Sequence, residues 1–211
     1  MLCTLSILKS YLGITTADFD EKLTIIIKMV SSQIENYIGY SLSRKNNIDE
    51  VHSVNYEQLL LLACQPIQSV SAVTIGDTAI TDYKILPKYS KVGMLYRGNG
   101  WAGNYYTRGM TYDAVSGFYE IKVSYVSGYY LPDDENYTEG ADDSLPYDIQ
   151  TACIVACSEL FNRNSNKADG IKSYSEGGIS TTFVDSGSMA DCGLSDKVCS
   201  MLVEYKRQAV A

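Results

Sequence analysis

The sequence predicts an α+β fold: a four-helix core of two N-terminal and two C-terminal helices, an inserted antiparallel β subdomain, and a long polar arm. Three observations carry this expectation. Apolar residues recur every three or four positions before Gly39 and again after Pro146. Between these regions, residues 118–126 alternate apolar and polar, and residues 164–193 are rich in Ser and Gly with few apolar points. The predicted organisation assigns 1–45 and 144–211 to the helical part, with the arm at 164–193, and 46–143 to the β region.

The first predicted helix, 4–12, carries Leu5, Leu8 and Leu12 at helical spacing and stops at Gly13, suited to a left-handed cap. Thr15 and Asp18 are candidate caps for the second, with Glu21 in its first turn. Phe19, Leu23, Ile26, Val30, Ile34 and Tyr37 then form a stripe that must be buried against something. After Ser41 the pattern changes. A short apolar run, 58–64, ends at Pro66, and Val70, Val73 and Ile75 lead into the turn signal Gly76-Asp77, so a hairpin is expected with 78–85 on its far side. Residues 94–96 read as a further strand. The clearest strand is 118–126, with Tyr119, Ile121, Val123 and Tyr125 on one face. An acidic loop, Asp133 to Asp143, precedes Pro146, which suits a first helical position, with Asp148 near the positive end of the dipole. Ile149, Ala152, Cys153, Ala156 and Leu160 give that helix its apolar face. The last helix opens at Ser195 and buries Val198, Met201, Leu202 and Tyr205.

Composition narrows the function classes. At 45% hydrophobic and 20% charged residues, 211 residues can fold around a core, and no apolar run approaches the roughly 18–20 residues a bilayer span needs. No signal-peptide pattern opens the chain, so a cytoplasmic site of synthesis is expected and the six cysteines are read as free, buried thiols. The net charge of -8 argues against a general nucleic-acid binder, but suits a surface past which DNA must slide without being gripped.

Candidate chemistry is sparse. Gly98, Gly100 and Gly103 spell G-x-G-x-x-G, but no strand-to-helix pattern surrounds them, so a loop between strands is expected. His52 is the one histidine and stands in no catalytic signature. The acids from Asp133 to Asp143 do not follow the ligand spacing of a calcium loop. No catalytic residue, cofactor or metal site is expected. The tyrosine-rich β region, with Trp101, Tyr105, Tyr106, Tyr112, Tyr119, Tyr125, Tyr129 and Tyr130, leaves three readings open: a protein interface, a binding module that stacks carbohydrate or single-stranded nucleic acid or contacts a host surface, and a half-buried sheet.

The string Leu8-Lys9-Ser10-Tyr11-Leu12-Gly13-Ile14, followed by Asp18, Asp20, Glu21, Leu23 and then Ile34-Glu35-Asn36-Tyr37-Ile38-Gly39, resembles the opening of the phage head-to-tail connector family, with Tyr40 where an Arg is common. Leu60-Leu61-Leu62 with Pro66-Ile67-Gln68-Ser69-Val70 is similar to further family motifs, as is Val123-Ser124-Tyr125-Val126-Ser127-Gly128-Tyr129. Leu145-Pro146-Tyr147-Asp148-Ile149 resembles the opening of the family's third helix, and the segment from Ile171 to Ser180 its serine-rich arm. The resemblance implies a non-enzymatic virion protein of the head-tail neck, assembled in the host cytoplasm. It implies a ring, expected to be dodecameric, below the portal protein and above a downstream neck or tail-completion protein. Double-stranded DNA would pass through the lumen without sequence-specific binding, and no membrane is involved. Partner-binding residues are expected in the arm, at Ile171, Tyr174, Ile179, Phe183 and Val184, where apolar side chains on a polar strand suit addition to a partner's sheet edge or groove.

Overall fold

A computed structural model describes residues 1–53, 57–76, 78–101, 120–165, 173–176, 179–182 and 193–207. The chain is α+β and divides into two compact units, one of residues 1–39 and 130–211, the other of 40–129.

The first unit is helical. Helix α1, Leu5–Leu12, is opened by the Thr4 hydroxyl, which accepts from the Ile7 N–H at 3.3 Å, and closed by Gly13 at φ 70°. Helix α2, Asp20–Ile38, begins after Phe19 and no side chain caps it; Asp20 and Glu21 in its first turn oppose the helix dipole instead. Neither Thr15 nor Asp18, the caps expected from sequence, supplies that bond. Lys9 Nζ reaches Asp20 Oδ1 at 2.6 Å and ties α1 to the start of α2. The buried stripe of α2 is Leu23, Ile26, Ile27, Val30, Ile34 and Ile38. It is the expected stripe shifted at its ends, because Phe19 lies 41% exposed and Ile38 takes the buried end position.

Helix α4, Tyr147–Ser165, follows the one-turn helix α3, Pro87–Ser90, of the other unit and packs on α1, α2 and α5, the last being Asp196–Leu202. Its interior face is Ile149, Ala152, Cys153, Ala156 and Cys157. Helix α5, Asp196–Leu202, is capped by Ser195, whose hydroxyl accepts from Val198 N at 3.4 Å. It ends earlier than the apolar spacing suggested, passing into a 3-10 turn, Val203–Tyr205, in which no residue is buried. The acidic segment 131–143 belongs to this unit. Asp133 pairs with the Met1 ammonium at 3.0 Å, and Asp134 accepts from Leu131 N at 2.7 Å.

The second unit is built of strands. β1 (Lys45–Ser53), β3 (Ile67–Ile75), β4 (Thr78–Ala79) and β7 (Glu120–Ser127) form an antiparallel sheet in the order β1-β7-β3-β4. β2 (Leu59–Leu61), β5 (Tyr83–Lys84) and β6 (Met94–Arg97) form a second, in the order β2-β6-β5, with α3 (Pro87–Ser90) between β5 and β6. The expected hairpin at Gly76 is present, but its far arm is only two residues long before the chain crosses to the second sheet. β1 escaped the sequence reading because its residues, KNNIDEVHS, show no alternation; it is an edge strand with no fully buried side chain. Its register against β7 shifts between Asn47 and Glu50, where Asp49 sits at φ 51°. The core comprises Leu60, Leu62, Ile67, Val73, Ile75, Leu95, Trp101, Ile121, Val123 and Tyr125. Gly128, at φ 83°, lets the end of β7 pass against the backbone of Leu42 and Ser43.

Within 164–193, expected to be an irregular loop or arm, the structure places an antiparallel hairpin of β8 (Ser173–Glu176) and β9 (Ile179–Thr182). Its strands are short and dominated by Ser and Thr, which hid the alternation. The Gly177-Gly178 dipeptide between them is the turn signal that could have revealed it.

Candidate functional site

The arm residues expected to bind a partner are distributed as follows. Tyr174 lies in β8 opposite Thr181, and Ile179 lies in β9 opposite Glu176. Ile171, Phe183 and Val184 fall outside the described residues. A two-stranded hairpin has marginal stability in water unless another strand or surface covers it.

The aromatic residues of the β unit separate into classes. Trp101 is fully buried, donates from Nε1 to the Gln58 carbonyl at 3.2 Å, and has the Arg97 guanidinium 6.0 Å from its ring centre. Arg97 is itself buried and donates to Asp82 Oδ1 at 2.7 Å and to the Gly100 carbonyl at 2.9 Å. That guanidinium holds the Asp82 carboxyl below its ordinary range. Tyr125 is buried too; its hydroxyl donates to Glu50 and accepts from Cys64 N at 3.1 Å. Burial, then the Glu50 carboxylate, pushes the Tyr125 hydroxyl up. These two side chains are core and cannot stack on a ligand. Tyr129 and Tyr130 are half-buried, while Tyr105, Tyr106, Tyr112 and Tyr119 lie outside the described residues.

The same node accounts for His52. Its Nε2 lies 2.7 Å from Glu50 Oε1, and Glu50 also accepts from Ala63 N at 2.7 Å, so the pair stitches β1 to the segment after β2. Gly100 N donates to the Arg97 carbonyl at 3.1 Å in a turn that sets Trp101 into the core; Gly103 is outside the described residues. The acids of 131–143 do not converge as ligands. Among the described residues the one group placed to hold a metal ion is Cys3, Cys153 and Cys157.

Two exposed apolar surfaces were missed from sequence. On α2, Ile25 (57% exposed) and Met29 (49% exposed) lie off the buried stripe and, with Glu21, Lys22, Ile26 and Leu160, line a shallow groove between α2 and α4. Phe19 stacks edge-on against Phe161 in this unit, 5.6 Å between ring centres, with Lys22 Nζ 5.1 Å from the Phe161 ring. On β1, Ile48 (79% exposed) and Val51 (52% exposed) mark the outer edge of the larger sheet. The signal for the first was a second i, i+4 apolar pair beside the main stripe; β1 gave none.

The chain superposes on a solved structure described as "Neck of empty GTA particle computed with C6 symmetry" with a TM-score of 0.54 at 11% identity, covering 100% of this chain and 92% of the other. A second, described as "Virion of native gene transfer agent (GTA) particle", gives 0.51 at 12% identity over the same shares. Both likenesses concern the fold. No curated protein sequence matches the chain. The sequence model described as "Head completion protein" (HCP) matches residues 1–208, and the chain belongs to that family.

Proposed function

We propose that this chain is a structural subunit of the neck of a tailed virion. In this reading copies of it form a ring, a dodecamer, below the portal protein and offer the docking surface for a downstream neck or tail-completion protein, while double-stranded DNA passes through the lumen. The observation that carries the reading is the head completion family match over nearly the whole chain. Three physical features support it. The net charge of -8 favours release of DNA over retention. The exposed Ile25 and Met29 on α2 offer apolar area to a neighbour. The β8–β9 hairpin has main-chain groups suited to pairing with a partner's sheet edge, with Tyr174 and Ile179 in its strands and Ile171, Phe183 and Val184 close by in the sequence as apolar points of the arm.

Four helices, α1, α2, α4 and α5, act in this reading as the connector core, the strands of 40–129 as the insertion, and 164–193 as the assembly arm. The chain acts by shape and charge and carries out no catalysis. A carbohydrate-binding role for the β unit is disfavoured by the burial of Trp101 and Tyr125, two of the aromatics that would have served it.

The test is assembly on the portal. Light scattering and negative-stain imaging of the purified chain are expected to show a monomer or weak oligomer alone and a ring once portal is added. A chain lacking residues 172–185 is expected to keep its helical circular dichroism and lose ring formation. A tight ring without portal, or a deletion variant that assembles normally, would overturn the reading.

A further inference from the structure

Three cysteines that the sequence scatters meet inside the helical unit. Cys3 lies ahead of α1, and Cys153 and Cys157 stand one turn apart on α4. All three are buried, their sulfur atoms lie within 4.8 Å of one another, and Cys153 donates its S–H to Cys3 Sγ across 3.6 Å. A cysteine acting only as a small hydrophobe has no need of sulfur neighbours. Here two separate segments bring three sulfurs to one place.

The spacing matches that of ligands around an ion. With sulfur about 2.3 Å from the metal, three sulfurs on one ion stand roughly 3.8–4.0 Å apart. The 3.6 Å separation and the 4.8 Å bound enclose that range, so an ion fits after small adjustments. A disulfide would instead need two sulfurs at about 2.05 Å and would leave the third idle.

We propose that Cys3, Cys153 and Cys157 form a three-coordinate binding site for a soft, thiolate-seeking cation of the copper(I) class. Soft sulfur donors select copper(I) or zinc, but a closed zinc site takes four ligands. Among the described residues no further His, Cys, Asp or Glu joins these three. A monovalent ion also carries less hydration to shed on entering a buried site. Cation binding displaces the proton of each thiol that becomes a thiolate ligand and releases it to solvent. Because binding releases protons, uptake weakens as pH falls. Access requires the segment before α1 to lift, which exposes the buried Leu2 side chain and breaks the Leu2 N–H bond to Ser31 Oγ at 3.1 Å and the exposed Met1–Asp133 pair.

The experiment titrates the reduced full-length chain, under anaerobic conditions, with copper(I) presented as its bicinchoninate complex. The expected result is transfer of one equivalent per chain, an ultraviolet thiolate-to-copper charge-transfer band, and a raised thermal midpoint. A variant with Cys64→Ser, Cys192→Ser and Cys199→Ser should behave in the same way. Cys153→Ala and Cys157→Ala should each lose at least roughly tenfold in affinity while keeping helical circular dichroism. Should either fail to fold, Cys3→Ala, outside any helix, makes the same comparison. No transfer to the folded wild-type chain, or transfer that loss of these cysteines leaves unchanged, would reduce the cluster to core packing and overturn the proposal.

Discussion

Replacing Gly128 by Ala asks whether the end of β7 is fixed by steric need. At φ 83° a methyl group would lie on the Ser43 carbonyl oxygen, 2.7 Å from the Ser43 carbonyl carbon and 3.0 Å from the Leu42 oxygen. These are backbone atoms, and they are held in place. Tyr129 N donates to the Leu42 carbonyl at 2.8 Å, Arg44 N to the Tyr129 carbonyl at 2.9 Å, and Gly128 N to the Pro66 carbonyl at 3.0 Å. The left-handed conformation alone costs an Ala about 1–2 kcal/mol, and forcing the two segments apart adds about 1–3 kcal/mol. Gly93→Ala is the matched control, because φ is 75° there as well but the nearest atom is the Gln65 side-chain Cβ at 3.3 Å. The two variants share the conformational cost and differ in the collision. Thermal unfolding followed by the fluorescence of Trp101, the one tryptophan and part of this unit's core, reads both variants with one probe. At about 2–4 °C per kcal/mol, the midpoint of Gly128→Ala should fall roughly 2–12 °C below that of Gly93→Ala. Equal midpoints, or the reverse order, would refute the claim that backbone approach requires glycine at 128.

Three further outcomes are expected. Ile25→Asp with Met29→Asp should leave the thermal midpoint within a few degrees of wild type, since both side chains are largely exposed, and should abolish ring formation on the portal as read by size-exclusion chromatography. Asp82 has its carboxyl lowered by Arg97, so its stabilising effect is complete above the ordinary value of 3.8 and is lost as pH falls below it. Urea titrations from pH 7 to pH 3 should therefore show an acid-dependent loss that Asp82→Asn lacks, of at most ~1 kcal/mol because the carboxylate is partly exposed. Changing Asp133 and Asp134 together to Asn should lower the midpoint by only a few degrees in scanning calorimetry, because the exposed ion pair of Asp133 and the loop cap of Asp134, worth about 1 kcal/mol each, are weakened.

Sequence periodicity served best where burial is one-sided and continuous. Leu23, Ile26, Val30 and Ile34 on α2 and Ile121, Val123 and Tyr125 on β7 are buried where their spacing put them. It failed where an element owes its existence to a neighbour. β1 has no fully buried side chain and is held by its ladder to β7 and by the Glu50 node, both of which depend on residues far away in the chain. The cysteine cluster was illegible for the same reason. Cys153 and Cys157 show their i, i+4 relation in the sequence, but nothing local reveals that Cys3, some 150 positions earlier, closes on them. The groove at Ile25 and Met29 was within reach of a reading that asked for a second apolar pair on α2 as well as for the main stripe.

The irregularity in β1 bears on how the chain behaves before it finds its place. An open sheet edge is a template on which identical molecules can stack. The break between Asn47 and Glu50 leaves an incoming strand two short stretches, 45–47 and 50–53, in place of nine consecutive residues. Asp49, turned into the left-handed region and tied to Ser124 by hydrogen bonds at 3.0 Å, fixes that interruption in position. The kink thus shortens the edge on which a second strand could pair, while Ile48 and Val51 stay exposed along it.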